Sequence, residues 1–81
     1  MKNATIIDLP NFRVLFSYKT PVVALDKTEH KVLRTDKKWS VTTSKHIGEF
    51  LRDYVSDRNE VIKVDQSVLD KMFSDMSVTR L

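Results

Sequence analysis

Apolar and polar residues alternate in the first half of the chain with the period of a β-strand. Residues 12–19 follow this alternation, and Thr20-Pro21 then interrupts it before the apolar run of residues 22–25. Because proline has no N–H to donate to a neighbouring strand, we expect a bulge, an edge or a bend at this point. The pattern therefore predicts either one long kinked strand or two short ones.

Two further short strands are predicted after this segment. Residues 26–30 are polar and are typical of a turn, and residues 31–35 then form the return strand of a hairpin. A second turn at residues 36–38 precedes a third short strand at residues 39–41. This spacing favours a small antiparallel meander. The pattern assigns no element to residues 1–11 and 77–81, which we expect to be loose.

The period changes to that of a helix after residue 41. Thr42, Thr43 and Ser44 offer hydroxyls that can cap the first turn. The apolar residues that follow have the spacing of one helical stripe, namely Ile47, Phe50, Leu51, Tyr54 and Val55. Gly48 inside this helix costs about 1 kcal/mol relative to alanine, so we expect it to mark a close approach to the sheet.

A second helix is predicted near the end of the chain. Residues 61–64 are apolar and form either an edge strand or a packed connector, and Asp65 is a suitable N-cap. The apolar stripe of this helix comprises Val68, Leu69, Met72, Phe73 and Met76. The whole chain, residues 1–81, is therefore expected to form one α+β domain. It would contain an antiparallel sheet of about three strands, followed by two helices packed on one face.

Composition narrows the class of protein. The chain has 81 residues, no cysteine and two histidines, which excludes disulfides and cysteine-based metal sites. We expect no cofactor and no metal. No apolar run approaches the roughly 18–20 residues that span a bilayer, and the first residues lack the apolar region of a signal peptide. These features favour a cytoplasmic protein without contact with a membrane.

The charges are unevenly distributed along the chain. Residues 1–45 contain nine basic and four acidic residues, whereas residues 46–81 contain five basic and seven acidic residues. The sequence therefore predicts a basic strand half joined to a mildly acidic helical half, which bears on partners rather than on fold.

Two segments carry a resemblance to other proteins. Residues 16–24 read FSYKTPVVA and residues 39–47 read WSVTTSKHI. Together they resemble a family of small uncharacterised proteins that are common in bacteriophages and occasional in bacteria. Residues 64–69, VDQSVL, echo members in which a glutamine opens a second helix. Trp39 stands where many relatives have Tyr or Phe, and residues 1–12 match nothing in that pattern. The resemblance implies a phage association and a compact fold, and it implies no activity.

The segment before and within the first helical turn is the candidate binding site. It combines hydroxyls, cations, an imidazole and an indole at a helix N-terminus, where free N–H groups favour anions. The predicted binding residues are Lys37, Lys38, Trp39, Thr42, Thr43, Ser44, Lys45 and His46. On one interpretation they contact phosphate or nucleic acid, with Trp39 stacking on a base. On the other, favoured interpretation the hydroxyls cap the helix and His46 fixes the junction with the preceding strand.

Catalysis is not expected from this sequence. Ser44 and His46 are two positions apart and point in different directions on a helix, and a single glycine excludes a glycine-rich phosphate loop. A chain of this size also has little volume for a substrate pocket. We therefore predict a small non-enzymatic, phage-type accessory protein that binds and modulates a host or phage protein in the host cytoplasm. The alternative is a small nucleic-acid-binding protein that uses the basic strand half and residues 37–45.

A second copy of the chain is a further candidate partner. Met72 and Met76 flank Phe73 on the second predicted helix, and core packing is their ordinary role. A stripe wider than the small sheet can cover would instead form the face of a homodimer.

Overall fold

A computed structural model describes residues 3–79 of the protein, with side chains described as far as residue 73. It contains five strands and two helices. In chain order these are β1 (Ala4–Asp8), β2 (Phe12–Ser17), β3 (Thr20–Asp26), β4 (Lys31–Thr35), α1 (Val41–Tyr54), β5 (Glu60–Val64) and α2 (Gln66–Thr79).

The strands form a single sheet in the order β1-β2-β3-β4-β5. The first four are antiparallel neighbours, and β5 pairs parallel to β4. A parallel neighbour requires a long crossover, and α1 supplies it between β4 and β5. The α+β class is confirmed, but the sheet has five strands rather than about three.

The two helices cover opposite faces of the sheet, so the prediction of one shared face is wrong. Leu15 and Val23 pack with Ile47 and Phe50 of α1. The alternate positions of the same strands pack with α2, in a cluster formed by Val14, Phe16, Ala24, Leu69 and Phe73. The physical reason is that β2 and β3 are apolar at consecutive positions, so both faces of the central strands need a cover.

β1 lies in a segment that was expected to be loose. Its residues pair in register with β2, from Ala4 opposite Ser17 to Asp8 opposite Arg13. Ile6 packs on the α1 side of the sheet and Ile7 on the α2 side, so adjacent apolar residues serve both cores. At the other end, α2 continues to Thr79, through the first part of the predicted tail. Residues 80 and 81 lie outside the described part.

The segment interrupted at Thr20-Pro21 forms two strands, β2 and β3, rather than one long kinked strand, and the pairing between them contains a bulge. β2 and β3 are joined by a two-residue loop, in which Tyr18 has a φ of 61°. Leu15 lies opposite Val23 whereas Phe16 lies opposite Pro21, so Val22 is the extra residue. Val22 and Val23 both pack on the α1 side, which thickens that core at the end of the sheet.

Residues 39–41 are not a strand. The helix begins at Val41, and its N-cap is Ser40, whose hydroxyl accepts from the backbone N–H of Thr43 at 3.3 Å. The caps predicted at Thr42–Ser44 therefore lie inside the first turn. Val41 is 85% exposed and belongs to neither core cluster.

Several other predictions are confirmed. Residues 31–35 form a strand, and residues 61–64 lie in the edge strand β5. Asp65 caps α2, because its carboxylate accepts from the backbone N–H of Ser67. Of the predicted α2 stripe, Leu69 and Phe73 are buried, Val68 and Met72 are exposed, and the side chain of Met76 lies outside the described residues. Neither helix, as far as the structure describes them, is long and apolar enough to cross a membrane.

Gly48 does not mark a close approach. A Cβ placed on this residue would meet no atom within 4 Å outside the local helix backbone, and the residue is exposed. The expected contact with the sheet is therefore wrong, and the glycine only weakens α1.

Replacing Gly48 with alanine should stabilise the protein. In the middle of an exposed helical surface, alanine restricts the unfolded chain and is favoured by about 0.5–1 kcal/mol. We expect Gly48→Ala to raise the free energy of unfolding by this amount in a urea titration followed by circular dichroism. A lower stability than that of the wild type would show that position 48 has a packing constraint.

Candidate functional site

Four exposed lysines meet at one end of the sheet. β2 and β4 finish there, β3 starts there, and both helices begin there, α1 beside Ser17 and α2 beside Pro21. The loops at this end therefore bring together side chains that are far apart in the sequence. We call this end, which carries Lys19, Lys37, Lys38 and Lys45, the basic end.

The structure divides the eight predicted binding residues into two groups. Thr43 and His46 are buried and Trp39 is half-buried. The others are exposed, namely Lys37, Lys38, Thr42, Ser44 and Lys45. The segment therefore contains both an internal junction and an external cationic surface. The structural interpretation concerns the buried residues, and the phosphate-binding interpretation concerns the exposed ones.

The internal junction is a buried hydrogen-bond network centred on Ser17. The Ser17 hydroxyl lies 2.8 Å from Oγ1 of Thr43 and 2.9 Å from Nδ1 of His46. All three residues are at most 4% exposed. Thr43 also approaches the Ser40 hydroxyl, at 3.5 Å between the oxygens. Because these groups have little access to water, each relies on the others for its hydrogen bonds.

The network joins α1 to β2 rather than to the strand that precedes the helix. His46 is predicted to contact the strand expected at residues 39–41, but that segment is not a strand, and the partner of His46 is Ser17, the last residue of β2. Sequence reasoning missed Ser17, because it is separated from His46 by 29 positions and its own neighbours alternate like any strand. The one available signal was a small polar residue beside a turn in an otherwise apolar strand.

A second junction ties the loop before α1 to the start of α2. The indole N–H of Trp39 donates to the side-chain carbonyl of Gln66 at 3.1 Å. The amide nitrogen of Gln66 donates to the backbone carbonyl of Pro21 at 2.7 Å. Gln66, the first residue of α2, thus links the loop after β4 to the start of β3.

Trp39 is not a free stacking platform. Its ring packs against the α1-side core, and the ammonium of Lys37 lies 4.2 Å from the ring centroid. A cation in this position is attracted to the face of the indole. A base could stack on that face only after Lys37 had moved away, so the cations of this segment are better placed for contact than its indole.

The ion pairs of the described residues lie away from the basic end. Asp8 accepts from Arg13 at 2.7 Å and from Lys27 at 3.1 Å, and Arg52 pairs with Asp53 at 3.1 Å. The hydrogen bonds from Arg13 and Lys27 lower the pKa of Asp8 below its usual value. None of the ion pairs found among the side chains of residues 3–73 involves a lysine of the basic end.

Three aspartates accompany the basic end. Asp70 accepts from the side-chain amide of Gln66 at 3.0 Å. Asp36 follows β4 and is exposed. Asp65 is engaged by Ser67, whose hydroxyl and backbone N–H both donate to its carboxylate and lower its pKa. Its charge therefore serves the start of α2. Four lysines against these three carboxylates leave an excess of positive charge.

The excess of cations at the basic end does not follow the division between sheet and helices. The far end of the sheet carries carboxylates and cations together, among them Asp8, Asp26, Glu60, Arg13, Lys27 and Lys31. The expected separation of a basic strand half from an acidic helical half does not describe the folded molecule, because strands and helices both run between the two ends.

A shallow groove adjoins the basic end. It has a volume of about 550 Å³ and is lined by the start of β1 and the loop between β2 and β3, including Tyr18 and Lys19. Tyr18 is held in the loop by its backbone N–H, which donates to the carbonyl of Asn3 at 2.7 Å. Among the residues that the structure describes, no group of three or more histidines and carboxylates is placed to hold a metal ion.

The fold is that of a small α+β domain with five strands and two helices. Residues 1–71 match a family of unknown function, DUF8033, and the chain belongs to that family. No curated protein and no solved structure shows a significant match to the chain.

A matched pair of substitutions tests the buried junction. Thr43→Val keeps the shape of the side chain but removes the hydroxyl that meets Ser17, and the change should lower the free energy of unfolding by about 1–3 kcal/mol. Thr42→Val makes the same chemical change at an exposed neighbouring position and should stay within about 0.5 kcal/mol of the wild type. Urea titrations of both variants measure the difference. Equal effects at the two positions would contradict a structural role for the Thr43 hydroxyl.

Proposed function

We propose that this protein is a small non-enzymatic binding module that contacts the phosphates of nucleic acid with its basic end. One observation carries the proposal. Lys19, Lys37, Lys38 and Lys45 converge there without ion pairs among the described residues, whereas Arg13, Lys27 and Arg52 pair with carboxylates elsewhere. Unpaired lysines on one surface can replace the counterions that surround a nucleic acid, and release of those counterions drives binding.

The start of α1 adds to the positive potential of this end. α1 has no acidic residue in its first turn and is capped by the neutral Ser40, whereas α2 is capped by the carboxylate of Asp65. The partial positive charge of the start of α1 is therefore not offset by its own side chains. This contribution strengthens the attraction of the lysines for an anion.

The absence of catalysis is part of the proposal. Ser17 and His46 form the hydrogen-bonded hydroxyl–imidazole pair that a nucleophilic mechanism would need. Both side chains are buried, at 2% and 4% exposure, and Thr43 occupies the other side of the Ser17 hydroxyl. A substrate would have no access to the oxygen, which favours a structural role for the pair.

The phage-type origin also belongs to this proposal. It is supported by the resemblance carried by residues 16–24 and 39–47. A phage-encoded protein of this kind would act in the host cytoplasm, where its nucleic-acid partner would be phage or host DNA or RNA. The match to a family of unknown function is compatible with this origin and specifies no partner.

A host or phage protein is the second candidate partner, favoured by the exposed edge of the sheet. β5 is an outer strand, and Val61 within it is 45% exposed. An edge of this kind can pair with a strand from another protein. Val68 and Met72 on α2 are also exposed, which would suit a second copy of the chain. The exposed apolar residues of these surfaces, Val61, Val68 and Met72, carry no charge, unlike the lysines of the basic end.

Salt-dependent binding tests the nucleic-acid proposal. Fluorescence anisotropy with labelled single-stranded and duplex oligonucleotides should show affinity that falls linearly on a log–log plot against salt concentration. Lys37→Gln together with Lys38→Gln should weaken binding at low salt. Each lost contact should also reduce the slope by about 0.7 for a single strand or 0.9 for a duplex.

The matched control removes the same charge from the opposite end. Lys31→Gln together with Arg58→Gln replaces two exposed cations there and should leave the slope unchanged. Equal losses in both double variants would indicate attraction to net charge alone and would contradict a defined site. Absence of binding to any oligonucleotide at low salt would reject the proposal and leave the protein partner as the candidate.

A further inference from the structure

Two cations face each other across the last two strands of the sheet. Arg34 of β4 lies directly opposite Lys63 of β5, and it also lies opposite Val23 of β3. Directly opposed residues share a face of the sheet, and Val23 belongs to the α1-side core. Arg34 and Lys63 are therefore neighbours on the α1 face, each one residue before the end of its strand.

This pair has no neutralising partner in the described residues. Neither side chain takes part in the ion pairs or side-chain hydrogen bonds found between residues 3 and 73. Nε of Arg34 is buried and lacks a hydrogen-bond acceptor. Arg34 as a whole is only half-buried, so part of the residue remains open to solvent. A buried donor without an acceptor and a like-charged neighbour both destabilise the fold.

The same two strands show the opposite arrangement at their other end. Lys31 of β4 lies directly opposite Glu60 of β5, which places complementary charges on that pair. The two pairs are three positions apart, so Lys31 and Glu60 lie on the α2 face. The strand pairing therefore accommodates a carboxylate opposite a cation, and the Arg34–Lys63 pair is a local departure that an external anion would neutralise.

We propose that Arg34 and Lys63 form a phosphate-binding site on the α1 face of β4 and β5. The inference rests on the proposed function and deepens it, since it names which residues hold a backbone phosphate. A guanidinium presents its N–H groups as a planar fork that suits two oxygens of a phosphate, and an ammonium adds a point charge. Nε of Arg34 belongs to one edge of that fork and is buried, so a phosphate would reach this edge only when the half-buried side chain turns outward.

Continuity with the basic end favours a nucleic acid over a single small anion. Lys37 and Lys38 follow Arg34 by three and four positions, just beyond the end of β4. A ligand with regularly repeated charges that is held at Arg34 and Lys63 would therefore meet further cations. Arg34 and Lys63 would hold one phosphate on the α1 face, and Lys37 and Lys38 would contact the phosphates that follow it along the nucleic acid.

The site is tested by titrating the protein with inorganic phosphate while its amide chemical shifts are recorded. Phosphate replaces chloride during the titration, so that the ionic strength stays constant. We expect saturable shifts around Arg34 and Lys63 in the wild type. They should disappear in Lys63→Gln, an exposed position, and in Arg34→Gln, and they should persist in Lys31→Gln. Unsaturable shifts spread over the exposed lysines, or unchanged shifts in Lys63→Gln, would overturn the site.

Oligonucleotide binding separates this inference from the proposed function. Lys63→Gln should weaken binding at low salt by about three- to tenfold, as expected for the loss of one charged contact. Full affinity in Lys63→Gln with a loss in the Lys37/Lys38 double variant would keep the function and reject the site. Saturable phosphate binding without oligonucleotide binding would keep the site and reject the function. Competition by polyglutamate but not by phosphate would overturn the site in favour of an acidic protein partner.

Discussion

The hydroxyl of Ser17 is the contact on which the arrangement of this protein depends. It closes β2 and accepts or donates to two side chains of α1, Thr43 and His46, that follow much later in the sequence. Because all three groups are buried, water cannot replace a lost partner. The first two turns of α1 are therefore fixed above the end of β2. This position determines where the loop before the helix must run.

The location of that loop gives the molecule its polarity. β4 ends near the start of α1, and β5 ends near the start of α2, so the two connections that carry or border the lysines lie at one end. Gln66 holds these connections together through Trp39 and Pro21. Acidic residues such as Asp8 and Asp26 lie at the other ends of their strands, where Asp8 is used in ion pairs. Although the net charge of the chain is only +3, four of its lysines therefore lie together at one end of the fold.

The sequence pattern predicted the helices and strands that have a clear hydrophobic period. It predicted less well how these elements are arranged around the sheet. The helix after residue 41, the strand at residues 31–35 and the cap at Asp65 follow from local spacing. The coverage of both faces was missed, although the uninterrupted apolar run at residues 22–25 is typical of a strand buried on both sides. β1 was missed because an edge strand needs only a few apolar residues. The role of His46 in a junction was foreseen, but its partner Ser17 was not, since pairing over such a distance depends on the strand order.

Arg34 and Lys63 show where packing and charge lead to different conclusions. Burial of the Arg34 stem against the sheet would by itself explain why Nε is hidden, because long cationic side chains often cover apolar surface in this way. It would not explain the cation directly opposite. Lys63 is exposed and belongs to neither core cluster, so a carboxylate or a neutral side chain could take its place without loss of a core contact. On the other face of the same two strands, Glu60 is the residue that lies opposite Lys31. The identity of residue 63, rather than the burial of Arg34, is therefore what distinguishes an anion site from a packing compromise.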